Sequence, residues 1–187
     1  MTIAYFALLV LVSLGRLIEL RISRRNQQKL EKLGVRKMTE PHFRWMVFTH
    51  TSVFACAAAE VLLFHRPLIP LLAITMAAVF VLANALRWWV IRTLAGHWNV
   101  EVMASSRVGV VTSGPYRWVR HPNYVAVVIE LFALPMIHTA WITALAGTLA
   151  NMEILRRRLR VEEGVLMADP TYRATMGEKP RFLPGLF

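Results

Sequence analysis

The chain has 187 residues, 56% of them hydrophobic and 18% charged, with a formal net charge of +11. Soluble domains carry about 25% charged residues, and here the charge comes in basic blocks between apolar stretches, which is the pattern of a polytopic membrane protein rather than a soluble or nucleic-acid-binding one; the basic excess points to anionic lipid headgroups. The single cysteine, Cys56, excludes an intrachain disulfide and a multi-cysteine metal site, and its position inside an apolar run reads as a small packing residue.

A helix needs about 20 residues to cross the hydrocarbon core. Residues 2–22 are long enough. Their apolar start, Ile3 to Leu14, has no basic residue before it and no small-residue cleavage site after it, and it continues through Gly15-Arg16-Leu17-Ile18-Glu19-Leu20 into a basic segment. A retained span is expected rather than a cleaved signal. Residues 43–64 and 68–91 supply two further spans. Residues 107–112 (Arg-Val-Gly-Val-Val-Thr) alone read as a strand, too short to carry a sheet. Residues 124–137 make a shorter span ending at Pro135 and a polar His138-Thr139 turn. Residues 139–155 resume, and the helix is expected to run on through Glu163. The expected fold is all-α and polytopic, with about five transmembrane helices, the last two a helical hairpin. Residues 1–91 form three helices with a basic loop, and residues 92–187 form a region with two further spans and the polar motifs.

Lys and Arg number eight in segment 21–44, one in 65–67, four in 91–122, none at the 138 turn and seven from 156 onward. This alternation places the N-terminus outside, with the 21–44 loop, the 91–122 segment and the C-terminal tail cytoplasmic, in a multi-pass cell-membrane protein.

Segment 114–124, Gly-Pro-Tyr-Arg-Trp-Val-Arg-His-Pro-Asn-Tyr, is a polar knot directly before an apolar run. Gly114-Pro115 signals a turn, and Pro122 suits the first turn of a helix. Arg120 and His121 then sit at the start of the fourth span, with Tyr124 in its first turn. The free N–H groups there, with Arg117 and Arg120, suit an anion-binding corner; an interfacial anchor with Tyr116 and Trp118 in an aromatic belt accounts for the same residues. Further on, Arg158 stands four residues before Glu162 on a helix, the poorer orientation for helix pairing. Either Glu162 and Glu163 bind a ligand ammonium or ribose hydroxyls while Arg158 faces an anionic group, or the three are a solvated helix end. Glu19 and Glu60 lie near span ends and are expected to reach water. Glu130, about two turns into the fourth span, is the best buried candidate for a polar substrate head. Trp88, Trp89 and Trp98 read as an interface belt, although Trp98-Asn99 after the Gly96 turn also suits a cofactor pocket. The six histidines have no metal-ligand spacing, and Asp169, the sole aspartate, leaves little for a carboxylate-relay transporter.

Arg120-His121-Pro122-Asn123-Tyr124, followed by Glu162-Glu163-x-x-Leu166, Tyr172 and Pro180-Arg181-Phe182-Leu183-Pro184, resembles the isoprenylcysteine carboxyl methyltransferase family over roughly residues 85–187. The resemblance implies an integral membrane enzyme that binds S-adenosylmethionine without a Rossmann domain and methylates a lipophilic acceptor. Arg120, His121, Tyr124, Glu162 and Glu163 would hold the cofactor and Arg158 would meet acceptor oxygens. The acceptor would be a carboxyl or acidic hydroxyl oxygen, prenylcysteine-like or alkylpyrone-like; no metal is implied. A phospholipid N-methyltransferase, an NAD(P)H-dependent membrane reductase and a non-enzymatic lipid-binding protein are the alternatives.

Overall fold

The computed structural model describes residues 2–38, 42–104 and 109–183. Helix α1 spans Thr2–Lys32, α2 Phe43–Leu63, α3 Pro70–Leu94, α4 Pro122–Met136, α5 Trp141–Leu166 and α6 Pro170–Met176. Short 3₁₀ turns occupy Ala95–His97 and Gly114–Arg117. Two two-residue strands, β1 (Arg36–Lys37) and β2 (Met103–Ala104), pair antiparallel. Among the described residues, three helices have the length and apolarity to cross a membrane: α1, α2 and α3 with its extension to His97. Among the described residues the remaining helices and strands are those just named.

Helix α1 does not stop at residue 22. At 1.5 Å per residue its 31 residues reach about 46 Å, well past a hydrocarbon core of about 30 Å. The basic stretch after the span is made of good helix formers, Arg, Gln, Lys, Leu and Glu, and carries no breaker. The helix ends before Gly34, which takes φ +80°, the left-handed conformation that glycine accepts without a Cβ penalty. Pro70 and Pro122 each sit at the first turns of α3 and α4, where a missing N–H costs no hydrogen bond. Residues 109–112, within the stretch read as a strand, are irregular; residues 107 and 108 lie outside the described residues.

Helix α4, at 15 residues, is too short to span by itself, about 22 Å. It is the centre of the bundle. Pro122, Tyr124, Ala126, Val127, Glu130, Leu131, Ala133, Leu134 and Pro135 are all buried, with α3 packed along one side and α5 along another. Helix α5 also packs against α2, where Gly147 is required. A Cβ there would lie 2.5 Å from Val53 Cγ2, so only glycine allows this approach. The main core joins Tyr5 and Leu9 of α1, Ala57 and Val61 of α2, Phe80 of α3, Ala133 and Leu134 of α4 and Ile137 just after it. Cys56 is exposed on α2 and not packed as expected, because buried Val53, Ala57 and Glu60 lie on the inward face.

Candidate active site

The 114–124 segment is built by two constraints. Gly114 has φ +57°, and a Cβ on it would stand 2.4 Å from Thr93 Oγ1, so the turn folds tightly onto the end of α3 only with glycine. The chain then enters α4 at His121. Its backbone N–H groups do not stay free. Arg120 N donates to Pro180 O (3.0 Å) and His121 N to Arg181 O (2.9 Å), and Lys179 Nζ donates to Tyr116 O (2.8 Å). The anion-binding corner expected at this helix start is therefore covered by the tail. Arg117 lies over the Trp118 ring instead. Pro184, the last residue of the tail motif, lies outside the described residues.

Glu163 holds this closure. Its carboxylate pairs with Arg120 (3.3 Å), with His121 Nε2 (3.3 Å) and with Arg181 (2.7 Å). Burial pushes its pKa up, but the His121 and Arg181 hydrogen bonds and the Arg120 charge outweigh that and hold it at about 2. Glu163 faces the tail, whereas its neighbour Glu162 faces inward. Tyr124 OH donates to Glu162 in a short contact and accepts from Arg158 Nε at 3.0 Å. Arg158 also donates to Val100 O (2.6 Å) and to Met46 Sδ (3.2 Å). Arg158 and Glu162 thus meet through the Tyr124 hydroxyl, which accounts for a spacing that helix pairing left unexplained. His121 stacks on Tyr124, with ring centroids 5.3 Å apart.

These groups line the polar end of a cavity of about 1010 Å³. Trp98, Asn99, Tyr116, Asn123, Asp169 and Tyr172 line it with them. Burial, with Glu162 close by, pushes the Tyr116 and Tyr172 hydroxyls above their ordinary range, so both are neutral. Trp98 is 3% exposed, so it is a buried wall rather than part of an interface belt; Trp89 is half exposed and packs edge-on against Trp118. Three buried polar atoms here have no partner among the described residues: Trp98 Nε1, Arg120 Nε and Asn123 Oδ1. Buried polar atoms are rarely left so, and two unpaired donors and an unpaired acceptor on residues that line the cavity suit a polar ligand. At its other end the cavity is walled by Val12, Phe54, Phe80, Leu131 and Leu134.

Between the two ends lies a charged quartet. Arg87, 7% exposed, binds Glu130 through Nε (2.9 Å) and Nη2 and reaches Glu19 at 3.4 Å. Arg16 pairs with Glu19 and reaches Glu130 at 3.1 Å. Asn84 donates to Glu130 (3.2 Å). Two cations and two anions cancel, which makes charge tolerable at this depth. Glu19 therefore does not reach water. Neither does Glu60, which binds Arg66 (2.9 Å) and accepts from Thr143 N and Oγ1 (both 2.7 Å). Glu130 does line the cavity, but its oxygens are already committed to the two arginines.

Of the residues singled out from sequence, Arg120, His121, Tyr124, Arg158, Glu162, Trp98, Asn99 and Glu130 line one cavity; Glu163 stands behind it. Arg16, Arg87, His50 and Tyr116 line it too. Arg87 carried a signal, since an arginine inside an apolar run needs a buried anion, and Glu130 is that anion. His50 had no motif to mark it.

Residues 73–168 match the model of the isoprenylcysteine carboxyl methyltransferase (ICMT) family. The chain is 31% identical over 163 residues to YpbQ, an uncharacterized protein of Bacillus subtilis, covering 87% of this chain and 96% of that one. It is 32% identical over 90 residues to an uncharacterized protein of Haemophilus influenzae, covering 48% and 52% of the two chains. The fold is similar to that of the eukaryotic intramembrane Ras methyltransferase ICMT, with a TM-score of 0.57 at 23% identity, over 74% of this chain and 52% of that one; this chain spans about half the length of that enzyme. With a family match over more than half its length, the chain belongs to the isoprenylcysteine carboxyl methyltransferase family of membrane methyltransferases.

Proposed function

We propose that the protein is an S-adenosylmethionine-dependent methyltransferase that acts on a carboxyl or acidic hydroxyl oxygen of a lipophilic acceptor, prenylcysteine-like or alkylpyrone-like. The observation that carries this reading is a single cavity with a polar motif-lined end and an apolar end among the helices. Pockets for one small ligand fill about 300–1,000 Å³, so about 1010 Å³ suits two reactants meeting head to head.

The polar end fits the cofactor. Its ammonium and ribose hydroxyls call for acceptors, which Glu162 and Asn123 Oδ1 supply; its carboxylate and base call for donors, which Trp98 Nε1, Arg120 Nε and the Asn99 amide supply. S-adenosylmethionine contributes an electrophilic methyl on a sulfonium, and displacement there is in-line, so alignment supplies much of the rate. The chain's own part is alignment and exclusion of water. Arg158, fixed by Tyr124 and Val100, presents a cation to acceptor oxygens; the tail clamp at Glu163 closes the polar end; the apolar end takes the hydrocarbon. A five-span topology with this end cytoplasmic belongs to the same reading, supported by the basic segments 21–44, 91–122 and 156 onward.

The test is transfer of radiolabel from methyl-labelled S-adenosylmethionine into a total lipid extract by the purified protein in detergent. Label in an organic-soluble ester or ether is expected. Label in a phospholipid amine, or none in any lipid, would contradict the proposal.

A further inference from the structure

Opposite the charged quartet, His50 of α2 lines the cavity, and behind it lies Asn151 of α5, 0% exposed. His50 Nε2 and Asn151 Oδ1 are 3.1 Å apart. The contact depends on the closest approach of α2 and α5, where Gly147 lies against Val53. Gly147 is one turn from Asn151, and Val53 nearly one turn from His50. An amide oxygen can only accept, so Nε2 carries the proton of the neutral ring and Nδ1 is left as a bare acceptor. Nδ1 has no partner among the described residues, and it is not sealed from the cavity. Asn151 Nδ2, by contrast, is fully buried with no partner among the described residues. Asn151 thus leaves both donors of Nδ2 unsatisfied while its Oδ1 makes one bond to His50. As glue between two membrane helices, a polar pair of this kind is worth little, and Gly147 already lets the helices pack.

We propose that His50, with Asn151 as its positioning residue, is a proton-accepting subsite for the acceptor's hydroxyl. Met46, which touches Arg158, is one turn from His50 on the same face of α2, so side chains there are about 5–6 Å apart. His50 and Arg158 both line the cavity, and in this proposal an acceptor head that meets Arg158 through one oxygen offers its O–H to His50 Nδ1. In the step assigned to His50, the O–H bond breaks, its electron pair stays on the acceptor oxygen, and the proton passes to Nδ1. The imidazolium so formed returns the proton to water after the product leaves, so one proton is released per methyl transferred. A carboxylate acceptor arrives without a proton and gives a bare Nδ1 nothing to bind. The subsite therefore selects a weakly acidic hydroxyl, an enol or phenol, over a carboxylic acid. Arg16, Arg87 and Glu130 face the same stretch of cavity and are committed to one another.

This inference rests on the methyltransferase reading but is tested apart from it. The full chain, labelled with ¹⁵N-histidine in detergent, is observed by NMR with the His50 signals assigned by His50→Gln. His50 is expected as the Nε2–H tautomer. Addition of 4-dodecylphenol is expected to shift the Nδ1 signal, and N-acetyl-S-farnesylcysteine to leave it in place. Asn151→Leu is expected to turn the single tautomer into a mixture and to lower kcat for the phenol while its KM stays unchanged, a split that a merely structural role would not cause. With S-adenosylmethionine, His50→Gln is expected to lower turnover of the phenol at least about 100-fold, the usual scale of a lost proton acceptor, with S-adenosylhomocysteine binding unchanged. An Nδ1–H tautomer in the wild type, an Nδ1 signal that ignores the phenol, or wild-type turnover in His50→Gln would overturn the proposal. Failure of S-adenosylhomocysteine to bind the wild type would overturn the methyltransferase reading instead, while the spectra still decide the subsite.

Discussion

At the scale of single residues, Glu162 and Glu163 show how adjacent carboxylates on one helix take different work. Residues one apart point about 100° apart around a helix, so one faces the cavity and the other the tail. Because the Glu163 pKa is held at about 2, below its ordinary value, its ion pairs contribute fully above about pH 4.5 and are lost as pH falls toward 2. The difference in thermal midpoint between wild type and Glu163→Gln is therefore expected to persist at pH 4 and to vanish near pH 2; a difference already gone at pH 4.5 would rule out this clamp. The quartet gives a second prediction. Arg87→Met alone leaves Glu130 buried beside too little positive charge and is expected to cost about 3–5 kcal/mol in denaturation, whereas Arg87→Met with Glu130→Leu is expected to recover most of that loss. A double variant no more stable than the single one would mean the pair is held by its surroundings rather than by charge balance.

At the scale of elements, helix existence was legible from apolar runs and from Pro122, because hydrocarbon thickness and helix entry both impose local rules. The end of α1 at Lys32 was not, since the transition from lipid to water breaks the hydrophobic pattern without breaking the helix. Nor was the tail's place against Arg120 and His121, which depends on backbone bonds about sixty residues apart in sequence. The order of the motifs was visible, and so were the residues Tyr124, Arg158 and Glu162; their meeting through one hydroxyl was not, because a motif gives spacing along one helix and says nothing of contacts between two. His50 and Asn151 carry no motif, and they meet only because α2 packs on α5, where Gly147 lies against Val53. Gly147→Val is expected to push α5 from α2, lowering stability by about 1–3 kcal/mol, the usual cost of overpacking. A fully stable Gly147→Val protein would show that this helix pair tolerates separation.

At the scale of the whole molecule, the fold places a polar chamber and an apolar chamber end to end. Helix α4 delivers Tyr124 from its first turn to the polar chamber, and Glu130, nearly two turns on, to the charged quartet. The chain belongs to a family of membrane methyltransferases. The central claim about this chain is that the polar chamber, walled by Trp98, Arg120, Asn123, Tyr124 and Glu162, holds the methyl donor. Titration of the purified protein in detergent with S-adenosylhomocysteine, followed by calorimetry, tests it most directly. Saturable binding at one site per chain is expected for the wild type, weakened at least about tenfold, or roughly 1.4 kcal/mol, in Glu162→Ala. No heat of binding in the wild type, or an unchanged dissociation constant in Glu162→Ala, would contradict it.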